Sequence, residues 1–246
     1  MAPTVKKAMI LAAGLGTRLR PITDTVPKPL VPVGGRTMLD RSLDLAVEAG
    51  IEQAVVNVHY LASQIVAHCK KRAQPAISVS DETDRILETG GGVVKALPLL
   101  GTDPFLLLNA DTFWIEWGKP NLAVMIETFD PARMDILLML CRLSDTTGHN
   151  GGADFAMDAE GRLTRLADKS EPSGLLYAGA TIYNPAIFQG VAAEPHSLNL
   201  YYDRAIAEGR LFGHVMSDGH WFTVGTPDAL PAAEAKLKEL QAASAD

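Results

Sequence analysis

Cysteine is scarce in this sequence: only Cys69 and Cys141 occur among its 246 residues. Two isolated thiols exclude a disulfide-rich scaffold, and their spacing fits no cysteine-based metal site. So few thiols are typical of a protein from a reducing compartment. We therefore expect both cysteines to be small buried apolar residues.

Long apolar segments are also missing. No run of residues approaches the roughly 20 that a helix needs to cross a bilayer. The N-terminal residues MAPTVKK lack the apolar core and the cleavage site of a secretory signal. The sequence therefore predicts a cytoplasmic protein with no membrane partner.

Basic residues are fewer than acidic ones. The chain has 22 Lys and Arg against 29 Asp and Glu, which gives a formal net charge of -7 at pH 7. Binding to a nucleic acid requires a concentrated basic surface, so we expect no nucleic-acid partner. Any nucleotide that this protein binds is then a small molecule.

The composition is that of an ordinary globular α/β protein, with 47% hydrophobic and 21% charged residues. In the first half, apolar runs alternate with amphipathic stretches, which predicts β-α-β-α order and a mostly parallel sheet. Strands are predicted at residues 8–13, 54–58, 77–80, 105–109, 136–142, 155–157, 163–166, 177–183 and 211–215. Helices are predicted at residues 38–49, 61–72, 92–97, 121–129, 198–208 and 228–242.

A glycine-rich segment, LAAGLGTRLRP at residues 11–21, follows the first predicted strand, and PKPL follows at residues 27–30. Glycines let backbone N–H groups approach a polyphosphate closely, while Arg18 and Lys28 bring cations to the same anion. No Lys-Ser or Lys-Thr follows the second glycine, so this is not a Walker loop. The predicted nucleotide contacts here are Leu11, Ala12, Ala13, Gly14, Gly16, Thr17, Arg18 and Lys28.

These paired motifs resemble the signature of the sugar-1-phosphate nucleotidyltransferases, LAAGxGTRLxP followed by PKPL. The resemblance covers nearly the whole chain and implies a Rossmann-like, three-layer αβα fold with a mixed, mostly parallel central sheet. It implies a single domain over residues 1–246, with a nucleotide-binding half at about 1–112, a sugar-binding half at about 113–228 and a C-terminal helix at about 228–243.

The resemblance also implies a reaction. A sugar-1-phosphate oxygen attacks the α-phosphorus of a nucleoside triphosphate and expels pyrophosphate. By resemblance, Arg18 grips the triphosphate, and Lys28 reaches the phosphates and helps to activate the α-phosphorus. Because the chemistry depends on aligning two polyanions, we expect cations and Mg²⁺ to carry most of the catalysis.

Asp111 closes an apolar run, in the segment Asn109-Ala110-Asp111. A carboxylate in that position is costly unless it is solvated, paired or bound to a cation. Mg²⁺ commonly binds one or two carboxylates together with phosphates and water, so Asp111 is the candidate metal ligand and a candidate catalytic residue. The alternative is an aspartate that caps the next segment.

The second metal ligand departs from the family pattern. Many relatives carry an acid in a WxDxGT segment, but this chain has WFTVGT at residues 221–226, with Thr223 at the acid's position. Threonine still offers a hydroxyl oxygen, so we predict Thr223 as a second metal ligand, with Asp218 as a nearby substitute. The lost charge also leaves open a function of another class, a non-catalytic paralogue that binds a nucleotide sugar and regulates a partner.

Three consecutive glycines lie in LETGGG at residues 87–92. They allow close backbone approach, and a helix that starts after them would favour an anion or a polar base edge. By resemblance this loop holds the nucleobase, with Thr89 and Gly90 as contacts and Glu88 near the base or the sugar. A plain glycine-rich turn is the alternative.

For the sugar phosphate, the resemblance indicates mostly the second half of the chain. Asp168 and Lys169 resemble a Glu-Lys pair in which the acid holds sugar hydroxyls and the lysine holds the phosphate. Gly179 matches a glycine against which the sugar packs, although Tyr177 replaces the usual Asn two residues earlier. The predicted sugar-phosphate contacts are Glu88, Asn109, Gly152, Asp154, Asp168, Lys169 and Gly179.

Within the family, the segments LETGGG, KALPLLG and NAD are most similar to the branch that joins UTP to N-acetylmuramate 1-phosphate in cell-wall recycling. The implied partners are UTP and this sugar phosphate, with Mg²⁺ as the cofactor. Mannose-1-phosphate guanylyltransferases and transferases for other hexose or heptose phosphates are the alternatives. Both a monomer and a homodimer remain open.

Overall fold

The computed structural model describes residues 5–243. Within that range, the helices are α1 (Met38–Glu48), α2 (Ala62–Cys69), α3 (Glu88–Leu100), α4 (Asn121–Thr128), α5 (Asn199–Ala207) and α6 (Ala229–Ala243). All but α3 begin within a residue of the predicted start, because their apolar residues repeat at helical spacing. The prediction for α3 is wrong at its start: the helix begins at Glu88 and includes the three glycines.

The strands form one large sheet and two small ones. The large sheet contains β1 (Lys7–Leu11), β4 (Gln53–Val58), β5 (Ala76–Asp81), β6 (Phe105–Asn109), β8 (Ile136–Arg142), β10 (Phe155–Met157), β11 (Leu163–Arg165), β12 (Leu175–Tyr183) and β13 (Leu211–Val215). The small sheets contain β7 (Thr112–Glu116), β9 (Thr146–Thr147) and β14 (Gly219–Thr223), and the hairpin of β2 (Pro32–Val33) and β3 (Arg36–Thr37).

The large sheet is mixed. β6, β1, β4 and β5 lie side by side and run parallel. β12 joins this block antiparallel to β6 and also pairs with β8, which runs parallel to β13. The mixed, mostly parallel sheet confirms the predicted fold class. Its strands come from both predicted halves of the chain, and the boundary between those halves stays a prediction.

Helices cover both faces of the large sheet. On one face, Ile10 of β1 belongs to the same core cluster as Leu43 of α1 and Ile65 of α2. On the other face, Met9 belongs to a cluster with Val93 of α3. Adjacent residues of β1 therefore point to opposite faces and both are buried, as an apolar run in a parallel strand predicts. The result is the expected three-layer arrangement.

The sequence analysis did not predict the small sheet of β7, β9 and β14. β7 and β14 pair antiparallel along their full length, and the rings of Phe113 and Phe222 stack with centroids 4.7 Å apart. α6 covers this sheet with Ala233 and Leu237. Pairing between segments so far apart in the chain has little local signal. The sheet matters because β7 begins directly after Asp111.

Both cysteines are buried and have free thiols, as expected. Burial raises the pKa of Cys69 to about 11 and the pKa of Cys141 to about 12. Neither thiol is therefore a reactive thiolate near neutral pH. Between residues 5 and 243, no helix has both the length and the apolar character needed to cross a membrane.

A cluster of charged groups ties α1 to the end of α2. Arg72 Nη1 donates to Asp40 Oδ1 at 2.7 Å, and His68 Nε2 lies 2.9 Å from Asp40 Oδ2. Burial alone would raise the pKa of Asp40, but hydrogen bonds from Arg72, His68 and Thr37 outweigh it, so the pKa is lowered. Ionised Asp40 is thus favoured by folding.

Replacing Asp40 by Asn should lower the free energy of unfolding by about 1–2 kcal/mol at neutral pH, because Arg72 and His68 lose a charged acceptor. A carboxylate whose pKa is lowered in the folded state stabilises the protein above its unfolded-state pKa, and this stability is lost as the pH falls through the folded-state pKa. The difference between wild type and Asp40→Asn should therefore shrink towards about pH 3. Urea unfolding across this range measures it, and a difference independent of pH would contradict the assignment.

Candidate active site

Two neighbouring parallel strands bring the central parts of the site together. β1 and β6 pair in a register that sets Leu11 opposite Asn109. The glycine-rich loop after β1 and Asp111 after β6 therefore leave the sheet at the same edge, where open parallel sheets bind their ligands. A cleft of about 480 Å³ opens there.

The cleft brings many of the predicted residues together. Those that line it are Leu11, Ala12, Ala13, Gly14, Lys28, Glu88, Thr89, Asn109 and Asp111. The rest of the lining consists of Pro29, Asn57, Glu82, Ile86, Ala110 and Ser197. Outside the lining lie Gly16, Thr17, Arg18, Gly90, Gly152, Asp154, Asp168, Lys169, Gly179 and Thr223.

Lys28 and Asp111 form an ion pair in the cleft. Lys28 starts a short 3-10 turn, Lys28–Leu30, that follows Pro27. Its Nζ lies 2.8 Å from Asp111 Oδ2, and the lysine side chain is 11% exposed against 42% for the aspartate. A buried ammonium is costly unless it is paired. Asp111 therefore holds Lys28 in place while part of its own carboxylate remains open to solvent.

Arg18 lies on an exposed turn beside the cleft. The turn is the 3-10 segment Thr17–Leu19, and it is anchored by Leu19, which is buried in the core. The Arg18 guanidinium makes no hydrogen bond and no ion pair within residues 5–243. Its donors are therefore available to an anion, as the predicted grip on the triphosphate requires.

Asn57 and Glu82 line the cleft, and the sequence analysis missed both. Asn57 is 2% exposed and Glu82 is 0% exposed. Asn57 Oδ1 accepts a hydrogen bond from the Ala12 N–H at 2.7 Å, and Asn57 Nδ2 donates to Glu82 Oε1 at 2.7 Å. Burial raises the pKa of Glu82. The available signal was the polar Asn57 within the otherwise apolar run 54–58.

The three glycines at the start of α3 make room for other parts of the protein. A Cβ on Gly90 would overlap the His196 ring, and a Cβ on Gly91 would overlap the Glu194 carbonyl. The Gly90 N–H donates to the His196 carbonyl at 2.8 Å. The third glycine faces the buried Asn57–Glu82 pair. The three glycines therefore let other segments of the protein pack closely against the start of α3. The role of Gly90 as a nucleobase contact stays a prediction.

Thr89 and Glu88 extend this side of the cleft. Thr89 Oγ1 accepts a hydrogen bond from the Leu198 N–H at 3.0 Å, which fixes the first turn of α3 against the residue before α5. Glu88 has φ 57°. This left-handed conformation costs a non-glycine residue about 1–3 kcal/mol and is found preferentially at functional sites. The backbone thus holds a charged side chain at the cleft despite strain.

Three of the predicted sugar contacts lie close together in the second half of the chain. Lys169 Nζ lies 3.7 Å from Asp154 Oδ1, and Asp154 Oδ2 accepts a hydrogen bond from the Tyr177 N–H at 3.2 Å. A Cβ on Gly152 would overlap the Lys169 carbonyl, so the two loops are in close contact. The structure therefore brings Gly152, Asp154 and Lys169 together.

Asp168 is turned towards its own loop. Its Oδ1 accepts hydrogen bonds from the Ser170 N–H at 2.9 Å and from the Ser170 hydroxyl at 2.6 Å. The hydrogen bond from the Ser170 hydroxyl lowers the pKa of Asp168 most, and the one from the Ser170 N–H lowers it further. In this conformation the carboxylate caps a turn, and its contact with sugar hydroxyls stays a prediction.

Thr223 lies beside Asp111. It pairs with Thr112 across β14 and β7, and the next residue, Val224, donates its N–H to the Asp111 carbonyl at 3.4 Å. Asp218, the suggested substitute, precedes the opposite end of β14. The strand pairing therefore favours Thr223 over Asp218 as the neighbour of Asp111.

The donors at this point fit a hard divalent cation. Asp111 offers a carboxylate with a side chain 42% exposed, and Thr223 offers a hydroxyl; hard cations prefer such oxygen ligands. Among the described residues, no group of three or more His, Cys, Asp or Glu side chains could hold a metal. A cation bound at Asp111 would therefore need oxygens from a substrate or water to complete its coordination.

Gly179 lies at an irregular point of β12, against Thr112. The register of β12 against β8 shifts between Tyr177 and Thr181, and Gly179 has φ 82°. A Cβ at this position would overlap Thr112 Oγ1. Only glycine, therefore, lets β12 approach the strand that starts directly after Asp111.

Comparison with known proteins identifies close relatives. A family model described as nucleotidyl transferase matches residues 7–239. The N-acetylmuramate alpha-1-phosphate uridylyltransferase of Caulobacter vibrioides is 42% identical over 97% of this chain and 100% of that protein. The enzyme of the same name from Neisseria meningitidis serogroup B is 33% identical over 93% of this chain and 97% of its own.

More distant matches extend the comparison. The mannose-1-phosphate guanylyltransferase catalytic subunit beta of Xenopus tropicalis is 29% identical over 90% of this chain, which spans 61% of that protein. The inositol-1-phosphate CTP transferase of T. maritima has a TM-score of 0.77 and 17% identity, covering 97% of this chain and 98% of its own. A UDP-glucose pyrophosphorylase complexed with UDP-glucose has a TM-score of 0.76 and 19% identity, covering 96% and 100%. These structures confirm the Rossmann-like fold.

Replacing Gly179 by Ala should lower the free energy of unfolding by about 2–4 kcal/mol, because strain at positive φ adds to the overlap with Thr112. Gly190 provides a matched control, since it has φ 74° and a Cβ placed there would meet no other group within 4 Å. Gly190→Ala should cost only about 1 kcal/mol. Urea unfolding of both variants measures the difference, and equal losses would show that contact with Thr112 is unimportant.

Proposed function

Because the chain belongs to the nucleotidyl transferase family, we propose that it transfers a uridylyl group from UTP to N-acetylmuramate 1-phosphate, giving UDP-N-acetylmuramate and pyrophosphate. The observation that carries this proposal is the ion pair between Lys28 and Asp111, 2.8 Å apart, in a cleft at the edge of a parallel sheet. The choice of substrates is supported by the two uridylyltransferases at 42% and 33% identity.

The proposed reaction joins two anions. An oxygen of the sugar phosphate attacks the α-phosphorus of UTP, and a new P–O bond forms as the bond from the α-phosphorus to the oxygen bridging it to the β-phosphorus breaks. Pyrophosphate leaves with the electron pair of that bond. The attacking phosphate is already ionised near neutral pH, so the reaction needs no general base, and catalysis comes from alignment and charge stabilisation.

Lys28 is well placed to stabilise the developing charge. An ammonium has three N–H donors, and the contact with Asp111 occupies one of them. The other donors would bind oxygens of the α-phosphate. Because Lys28 is buried and paired, it needs little reorganisation when the transition state forms. Arg18, exposed beside the loop, would bind the outer phosphates with its planar guanidinium.

We assign the cofactor as Mg²⁺, held by Asp111 with Thr223 beside it. When bound, the ion supplies charge neutralisation on the phosphate oxygens. Asp111 would then have two tasks, because one oxygen keeps Lys28 oriented while the exposed part of the carboxylate would hold the metal. A single carboxylate is sufficient for Mg²⁺ when phosphates and water supply further oxygens.

The two ends of the site take the two substrates. We assign the backbone of residues 11–17 to the triphosphate and Thr89 and Gly90 to the nucleobase, with Glu88 near the base or the sugar. For the acceptor we assign Lys169 to the sugar phosphate. The ring would lie among Asn109, Gly152, Asp154, Asp168 and Gly179. The proposed compartment is the cytoplasm, and the proposed assembly is a monomer or a homodimer.

The experiment that tests this function is pyrophosphate release across a grid of nucleoside triphosphates and sugar 1-phosphates with Mg²⁺. We expect release with UTP and N-acetylmuramate 1-phosphate to exceed every other pair. Preference for GTP with mannose 1-phosphate would favour the guanylyltransferase alternative, which the Xenopus relative at 29% identity supports. Silence across the whole grid would overturn the proposed reaction.

Asp111→Asn and Lys28→Ala should each reduce turnover by about 100-fold or more. Lys28→Ala removes a cation that stabilises the transferring phosphate, and Asp111→Asn removes the carboxylate that orients Lys28 and would hold the metal. Lys119→Ala is a suitable control, since this lysine is 58% exposed and its ion pair with Glu127 lies at the surface. The control should keep turnover within about twofold of wild type. Full turnover in Asp111→Asn would contradict catalysis at this site and favour a regulatory protein that only binds nucleotide sugars.

A further inference from the structure

A chain of buried hydrogen bonds crosses the floor of the cleft. The Ala12 N–H donates to Asn57 Oδ1 at 2.7 Å, and Asn57 Nδ2 donates to Glu82 Oε1 at 2.7 Å. On the far side, the Leu87 N–H donates to Glu82 Oε2 at 3.4 Å. The chain therefore runs from the glycine-rich loop, through the ends of β4 and β5, to the residue before α3.

This connection has little freedom to rearrange. Asn57 meets a donor at its oxygen and a carboxylate at its nitrogen, so the orientation of its amide is determined. The side chains of Asn57 and Glu82 are almost fully buried, at 2% and 0% exposure. Gly92 closes over the pair, since a Cβ there would lie 2.8 Å from Glu82 Oε1 and 3.0 Å from Asn57 Nδ2.

We propose that Asn57 and Glu82 are positioning residues for the nucleotide. They hold the glycine-rich loop and the turn before α3 at one separation, so that a nucleotide bound at that turn presents its α-phosphorus to Lys28. This inference rests on the proposed function and deepens it. Asn57 and Glu82 act through Ala12 and Leu87 and take no part in the bond changes.

The physical reason is that one ligand must contact both sides of the cleft. The glycine-rich loop follows β1, and the turn before α3 follows β5. The buried pair joins these two segments through side-chain hydrogen bonds. Buried hydrogen bonds are stronger than exposed ones and impose a defined geometry. A displacement of about 1 Å between reacting groups is enough to lower a rate by about 100-fold. Loss of the pair should therefore weaken the binding of UTP far more than it changes the KM for the sugar phosphate.

The chain contains a matched control for loss of a buried asparagine. Asn121 is 0% exposed, donates from Nδ2 to Glu116 Oε2 at 2.6 Å and accepts at Oδ1 from the Ser217 N–H at 3.1 Å. It therefore joins a carboxylate to a backbone amide just as Asn57 does, but it lies outside the lining of the cleft. General destabilisation should be similar in Asn57→Ala and Asn121→Ala.

The test is calorimetric binding of UTP with Mg²⁺ in the absence of acceptor, followed by steady-state kinetics. Asn57→Ala should weaken UTP binding by about 10- to 100-fold, whereas Asn121→Ala should stay within about threefold of wild type. The KM for the sugar phosphate should change by less than about threefold in both variants. Similar thermal midpoints for the two variants would show that stability alone does not explain the difference.

A second variant keeps the test independent of the folding of Asn57→Ala. Gly92→Ala removes no hydrogen-bonding group and favours a helix, yet its Cβ would displace the pair. It should also weaken UTP binding. Unchanged UTP affinity in Gly92→Ala, or equal affinity in Asn57→Ala and Asn121→Ala, would overturn the positioning role. The proposed function would still stand in that case, provided that the wild-type protein turned over its substrates. Absence of UTP binding by the wild type would instead overturn both proposals.

Discussion

The parallel pairing of β1 with β6 is the constraint on which the candidate site depends. It places Leu11 opposite Asn109, so the glycine-rich loop and Asp111 leave the sheet at one edge. Both strands are apolar and buried on both faces, and a slip by one residue would exchange the side chains that pack against the helices on the two faces. The stability of the core therefore fixes the position of Asp111, and Asp111 in turn holds Lys28.

The side of the cleft formed by the start of α3 depends on both halves of the chain. The His196 carbonyl accepts hydrogen bonds from the N–H groups of Gly90 and Gly91, and Ser197 lines the cleft. Two N–H groups at the start of α3 thus already have a partner within the protein, which leaves fewer N–H groups there for a ligand. The glycines are required because the backbone of residues 194–196 lies against the first turns of this helix.

The small sheet explains why Thr223 lies near Asp111 in the folded protein. β14 pairs with β7, which places Thr223 opposite Thr112 and therefore next to Asp111. The metal site that we propose has a single carboxylate, that of Asp111. Fewer negative charges hold a cation less strongly, but they also repel the incoming phosphates less. A metal that takes some of its oxygen ligands from the substrate would fit both effects.

The sequence by itself determined the strands of the large sheet and the motif residues. The predicted strands at residues 105–109 and 136–142 agree with β6 and β8 residue for residue, because apolar runs in buried strands are local patterns. The motifs also indicated Lys28 and Asp111, whose ion pair the structure shows. Only the tertiary structure decided that Asn57 meets Glu82, that β7 pairs with β14, and that the glycines of α3 serve packing. These features are contacts between distant segments, and no local pattern records which partner a buried polar group or a short strand will find once the chain is folded.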